Sequence, residues 1–173
     1  MSTNYKGVDY FNIDALLSEE ERMIRDTTRD FVTNEVIPVI EKHNQDMTFP
    51  KDLIPKMAEV GFFGPTLPAE YGGMEVNNVA YGLMMTELER GDSGLRSFAS
   101  VQSGLVMYPI FAYGSEEQKK KWLPSLAKAE KIGCFGLTEP DFGSNPGGMI
   151  TTAKKVEGGY MLNGAKMWIT NSP

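Results

Sequence analysis

The hydrophobic pattern of this chain changes period once, just after Ile132, so any fold it adopts must join helices to strands. Upstream, apolar residues recur at helical spacing between capping signals; downstream, short apolar runs are punctuated by glycine-rich turns. Ser18 with Glu21 three residues on reads as a capping box, each side chain satisfying a backbone donor of the first turn. Ile24, Thr27 and Phe31 continue that helix until Pro38 kinks or ends it. Pro50 opens a second helix that runs to Val60, with Gly61 as its left-handed stop, and LPAEYGG after it is a loop. A third helix covers Asn78 to Arg90. A fourth, apolar and therefore central, covers Gly94 to Tyr108. The fifth starts at Ser115, with Gln118 closing a second capping box, and carries Lys119, Lys120 and Lys121. That run reads as a solvated face, with phosphate binding as the alternative.

Beyond Ile132, GCFGLT reads as a short buried strand. Residues 149 to 170 read as three short strands, joined at Glu157-Gly158-Gly159 and at Asn163-Gly164, the latter a hairpin signal. Few strands with an open edge make a poor independent domain, so the chain reads as cut from something longer. The stretch CFGLTEPDFGSNPGG breaks from an apolar run into hydroxyls, carboxylates and glycines. Such loops let backbone N–H groups approach a polar ligand closely, although the same residues also build ordinary turns.

Length and composition bound the rest. A chain of 173 residues holds one full domain and part of a second. Seventeen basic against 23 acidic residues give a net charge of -6, which argues against nonspecific nucleic-acid binding. One cysteine, Cys134, excludes an intrachain disulfide, and with His43 the only histidine a His/Cys metal site is not expected. The start carries neither a signal peptide's apolar core nor a transit peptide's arginine-rich, acid-poor character, and the most apolar segment, GLVMYPIFAYG, is too short to span a membrane. The expected compartment is reducing and soluble: a bacterial-type cytoplasm, or the mitochondrial matrix of a processed eukaryotic protein.

Four stretches carry a recognisable pattern: LPAEYGG at 67–73, YGSEEQKKKWLP at 113–124, GLTEPDFGSNPGG at 136–148 and LNGAKMWITN at 162–171. In this order they resemble the amino-terminal half of the flavin-dependent acyl-CoA dehydrogenases. The resemblance implies an α+β fold: an all-helical amino-terminal domain at 1–132, then at 133–173 the first strands of a barrel-like or sandwich middle domain, with the family's carboxy-terminal helical bundle absent. It implies FAD as cofactor, held by Phe135, Gly136, Leu137, Thr138, Gly143, Ser144, Trp168, Ile169 and Thr170. A reduced flavin gathers negative charge near N1 and C2=O, which donors at Leu137 and Thr138 would stabilise. Thr170 would donate to N5 and Trp168 would cover one ring face; from its residue type alone, Trp168 is a core tryptophan at a strand end.

Within the family, ELERGDSGLRSFASVQS at 87–103 and GSEEQKKKWLPSLAK resemble the members that oxidise glutaryl-CoA. A substrate with a distal carboxylate needs a cation in an otherwise apolar pocket, and the guanidinium of Arg96 offers paired donors that fit one. The resemblance makes Glu89, Arg96, Ser97, Ser100 and Ser144 the substrate contacts. By spacing alone, Arg96 is a surface partner of Asp92 at i,i+4, worth about 0.3–0.5 kcal/mol. The implied reaction is oxidative decarboxylation of glutaryl-CoA to crotonyl-CoA, with an electron-transfer flavoprotein as acceptor and a homo-oligomeric, tetrameric parent. A simpler short-chain or non-decarboxylating dehydrogenase, or a noncatalytic module, remains open. No catalytic residue is assigned: the family's base is a glutamate in the later helical domain, and Glu139 reads as a structural or cofactor-orienting carboxylate. Asn145 stands where the family usually carries Asp.

Overall fold

A computed structural model describes residues 10–172; the first nine residues of the stretch read for a leader, and Pro173, lie outside them. Both capping boxes form. Ser18 Oγ accepts from the Glu21 N–H at 3.2 Å while Glu21 returns a bond at 2.7 Å, opening α1 (Glu19–Phe31). Ser115 and Gln118 do the same for α7 (Glu116–Ala127).

Pro38 does not end its helix. α1 widens into a π-helical turn, Val32–Val36, and continues as α2 (Ile37–Gln45) with Pro38 in its first turn. The Ile37 N–H reaches back five residues to the Val32 carbonyl. A proline has no N–H to offer and its ring crowds the carbonyl four residues back, so a wider turn ahead of it relieves the conflict. The same device recurs. α5 (Ser93–Ser100) passes through a π-helical segment, Val101–Met107, into α6 (Tyr108–Tyr113), where Pro109 occupies the first turn. The helix expected over 94–108 therefore begins one residue earlier, under the Asp92 cap, and ends five residues later. With α3 (Leu53–Glu59) and α4 (Asn78–Gly91), the α-helices among the described residues form five continuous rods. Gly61 at φ 84° ends the α3 region left-handed, as its position implies.

The rods close over one core. Val32, Met57, Phe62, Met84, Leu88, Leu95, Met107 and Leu123 are all at most 1% exposed, and burial of each such side chain is worth about 1.5–3 kcal/mol. Phe31 meets Phe62 edge-on at 5.1 Å. Glu87, buried on α4, accepts from Arg29 of α1 at 2.6 and 3.0 Å and from Arg90 at 2.9 Å. Burial pushes its carboxyl up, yet the Arg29 and Arg90 guanidiniums outweigh it and hold the group below its usual range. The Tyr71 hydroxyl donates to Glu116 at 2.8 Å and ties the LPAEYGG loop to α7; that carboxylate pushes the phenol up to about 12.

After α7 the expectations for strands hold only in part. β1 (Thr152–Val156) and β2 (Gly159–Asn163) pair antiparallel around Gly158 at φ 79°, the turn anticipated at 157–159. Asn163-Gly164 does not make a second hairpin, and 165–170 forms no strand. That segment crosses to residues 137–139 instead: the Met167 N–H donates to the Thr138 carbonyl at 2.9 Å, and Lys166 Nζ reaches the Leu137 carbonyl at 3.1 Å. Nor is GCFGLT a buried strand. Phe135 is 43% and Leu137 37% exposed, because no sheet covers them among the described residues, and every residue of β1 and β2 is exposed as well. No helix among the described residues is long and apolar enough to cross a membrane.

Candidate functional site

Some of the exposed side chains beyond α7 line a groove. Phe135, Leu137 and Thr138 form one lip and Trp168, Ile169 and Thr170 the other, over a floor of Val101 and Leu105 from the π-helical segment, enclosing about 270 Å³. Six residues singled out from sequence thus meet in one place, and the apolar floor supplied by Val101 and Leu105 was not anticipated. A π-helical turn shifts the register of the residues after it, so a helical-wheel reading could not aim them.

Trp168 is 86% exposed and its backbone is left-handed at φ 58°. A bulky aromatic in that conformation is strained, and an exposed indole carries an unburied apolar face. The reading of Trp168 as a core tryptophan is therefore incorrect. Thr138 and Thr170 place hydroxyls among apolar walls, whereas the Leu137 N–H is engaged with the Phe135 carbonyl at 3.2 Å.

Gly136, Gly143 and Ser144 do not line this groove. Gly143 and Ser144 lie exposed in the loop between the Glu139–Phe142 bridge and a single turn at Pro146–Gly148, near Asn145. Glu139 is 2% exposed beneath that loop. Its Oε2 accepts from the Ile150 N–H at 2.8 Å; its Oε1 accepts from the Thr151 N–H at 3.1 Å and Lys166 Nζ at 2.9 Å. The Thr151 N–H, the Lys166 ammonium and the Ile150 N–H hold its carboxyl down at about 2 against the cost of burial. A carboxylate so stabilised is a poor proton acceptor, and its contacts describe a joint between the loop, the root of the hairpin and the 165–170 segment.

A larger cavity, about 770 Å³, adjoins the groove and shares Thr170 with it; Phe49, Ile54, Gly94, Ser97, Phe98, Ile132 and Asn171 are among its walls. Ser97 thus faces a cavity. Arg96, beside it, does not pair with Asp92: Asp92 caps α5 by accepting from the Leu95 N–H at 2.8 Å. The Arg96 Nε donates instead to Glu89 Oε2 at 2.6 Å, and Ser93 donates to the other Glu89 oxygen. Arg96 and then Ser93 hold the Glu89 carboxyl below its usual range. Ser100 turns its hydroxyl to the Ser97 carbonyl at 3.1 Å. Lys119 pairs with Glu116, and Lys121 lies over the Trp122 ring.

Gln102 is fully buried with both polar atoms engaged: Nε2 donates to the Leu126 and Lys131 carbonyls at 3.0 and 2.9 Å, and Oε1 accepts from the Gly133 N–H at 2.9 Å. Asn171 donates to the Phe98 and Gly133 carbonyls at 3.3 and 3.2 Å. Neither residue stood out in the sequence, since nothing local to an apolar helix or a chain end marks a long-range bond.

Comparison with known proteins agrees with this architecture. A family model described as acyl-CoA dehydrogenase, N-terminal domain, matches residues 18–130, and one described as acyl-CoA dehydrogenase, middle domain, matches 134–173. The crystal structure of a glutaryl-CoA dehydrogenase from Mycobacterium smegmatis in complex with FADH2 is 51% identical with a TM-score of 0.89, covering 93% of this chain and 42% of that one. A glutaryl-coenzyme A dehydrogenase in complex with glutaryl-CoA is 38% identical with a TM-score of 0.84, over 88% of this chain and 40% of that one. The mitochondrial short-chain specific acyl-CoA dehydrogenase of Rattus norvegicus is 36% identical over 90% of this chain and 38% of its own length. The chain therefore spans about two fifths of the relatives it matches.

Proposed function

The chain belongs to the acyl-CoA dehydrogenase family, and from that premise we propose that it is the flavin-facing amino-terminal part, domains at 1–132 and 133–173, of an enzyme that dehydrogenates glutaryl-CoA. One observation carries the reading: an apolar groove with two threonine hydroxyls and an exposed, left-handed Trp168 at its lip. A flavin ring system is flat and apolar on its faces and polar along one edge, and the groove's residues fit it. Phe135, Leu137, Trp168 and Ile169 would pack on the ring, with Thr138 and Thr170 as hydroxyl donors at the polar edge. Gly136, Gly143 and Ser144 would follow its outer part. When bound, FAD supplies a two-electron acceptor for the dehydrogenation.

The chain's own residues do the remaining work. Trp168 excludes water from the ring face it covers. Arg96, held by Glu89, meets the distal carboxylate of the substrate, with Ser97, Ser100 and Ser144 as polar neighbours. Proton abstraction from the α-carbon falls to a carboxylate beyond this chain, since Glu139 is consumed by its cradle and Glu89 by Arg96. Oxidation across the α,β bond with loss of carbon dioxide yields crotonyl-CoA, and the electrons pass to an electron-transfer flavoprotein. The working enzyme is a homo-oligomer. The 36% identity to a short-chain enzyme supports a second reading, a dehydrogenase that does not decarboxylate.

The test is the visible spectrum of the chain with added FAD, before and after glutaryl-CoA. The isolated chain is expected to perturb the flavin band near about 450 nm weakly and not to bleach it; substrate-dependent bleaching would overturn the assignment of the base to a region outside it. In a longer protein carrying this chain, Arg96→Gln should abolish glutaryl-CoA turnover and spare butyryl-CoA. Equal loss of both refutes carboxylate recognition by Arg96, and oxidation of glutaryl-CoA without carbon dioxide release selects the second reading.

A further inference from the structure

Gly133 is gripped on three sides. Its N–H donates to Gln102 Oε1 at 2.9 Å, and its carbonyl accepts from Asn171 Nδ2 at 3.2 Å. A Cβ on it would lie 2.4 Å from the Val106 side chain, so the chain presses directly against the π-helical segment. The two lips of the groove diverge from this point. Phe135 follows Gly133 by two residues, and Thr170 precedes Asn171 by one. The floor residues Val101 and Leu105 belong to the same helical rod as Gln102 and as Phe98, whose carbonyl is the second acceptor of Asn171. Every wall of the groove is thus referred to one rod through two side-chain amides.

We propose that Gln102 and Asn171 are positioning residues that set the spacing of the groove's lips through Gly133. The inference rests on the groove being the flavin site, but its geometry can be tested apart from that reading. A side-chain amide bonded at a packed site resists movement, because each bond broken there leaves a donor or acceptor poorly solvated. Asn also tolerates the left-handed backbone at 171, φ 67°, so one residue supplies both the turn and the tether.

The experiment is hydrogen exchange and FAD binding on the chain itself, comparing wild type, Asn171→Gly, Gln102→Met and the double variant. Asn171→Gly keeps a backbone that accepts the left-handed turn and removes only the tether. The probe amide is Met167, whose N–H bridges the lips to the Thr138 carbonyl at 2.9 Å. Each single variant is expected to speed exchange at Met167 by about tenfold, the loss of roughly one anchoring hydrogen bond. In Asn171→Gly the α4 amides and the melting temperature should stay unchanged. The double variant should exchange no faster than the more affected single, because both tethers act on one residue. Unchanged Met167 exchange in Asn171→Gly, or additive effects in the double variant, overturns the proposal. The fluorescence of Trp168 with added FAD, read in a Trp122→Phe background, separates the two readings: a response without further substitution, weakened about tenfold in each variant, supports the clamp acting on the flavin site. Accelerated Met167 exchange with no response to FAD in that background upholds the clamp and refutes the flavin reading.

Discussion

Glu139 shows how one residue's environment decides its chemistry. Its carboxyl sits at about 2 in the folded chain against an ordinary 4.5, so the folded state favours the ionised form. The stabilisation is fully present above about pH 4.5 and is lost as pH falls toward 2. Acidification through that window should release the 139–166 joint before the helices, and proteolysis or amide exchange at Ile150 and Thr151 would report it; Glu139→Gln should remove the pH dependence. Glu87 makes a parallel case in the helical core. Glu87→Gln strips two guanidiniums of their counter-charge, and since Arg29 stays half exposed the cost should be about 1–3 kcal/mol by denaturant unfolding.

At the scale of elements, helix caps and helix crossings behave differently under mutation. Ser115→Ala removes one half of a reciprocal cap on an exposed helix end and should cost about 1 kcal/mol. Gly91 closes α4 where that helix packs against the π-helical turn Val32–Val36, and a Cβ there would lie 2.7 Å from Val32 Cγ1. Because Val32 is completely buried and stiff at χ1, it cannot swing away, so Gly91→Ala should destabilise by about 1–3 kcal/mol despite alanine's better helix propensity. A stabilised variant, read from its unfolding midpoint, would mean that the crossing relaxes. The β1–β2 hairpin has no buried residue, and a two-stranded ribbon is marginal by itself.

For the whole molecule, the helical rods share a core while the segment beyond Gly133 is anchored by Gln102, Asn171, Glu139 and Lys166. Unfolding should therefore proceed in two steps, the 134–172 segment opening first. Exchange rates across β1, β2 and 165–170 should exceed those of α4 by orders of magnitude, as expected where few apolar contacts hold a region. A single cooperative transition including β2 would contradict this.

Local signals carried much of the outcome. The capping boxes, the glycine at φ 84° after α3, the hairpin turn at Gly158 and the change of period near Ile132 are short-range effects, written in neighbouring residues and readable as such. The groove residues Phe135, Leu137, Thr138, Trp168, Ile169 and Thr170 were named from a motif, but their meeting needed the fold. Continuation through Pro38 and Pro109 by π-helical turns, the failure of Asn163-Gly164 to start a strand and the Arg96–Glu89 pairing all depended on what packs nearby. The roles of Gln102 and Asn171 lie deepest in this class. Their partners sit 24 to 73 residues away in sequence, and no local pattern encodes a bond that only chain closure can form.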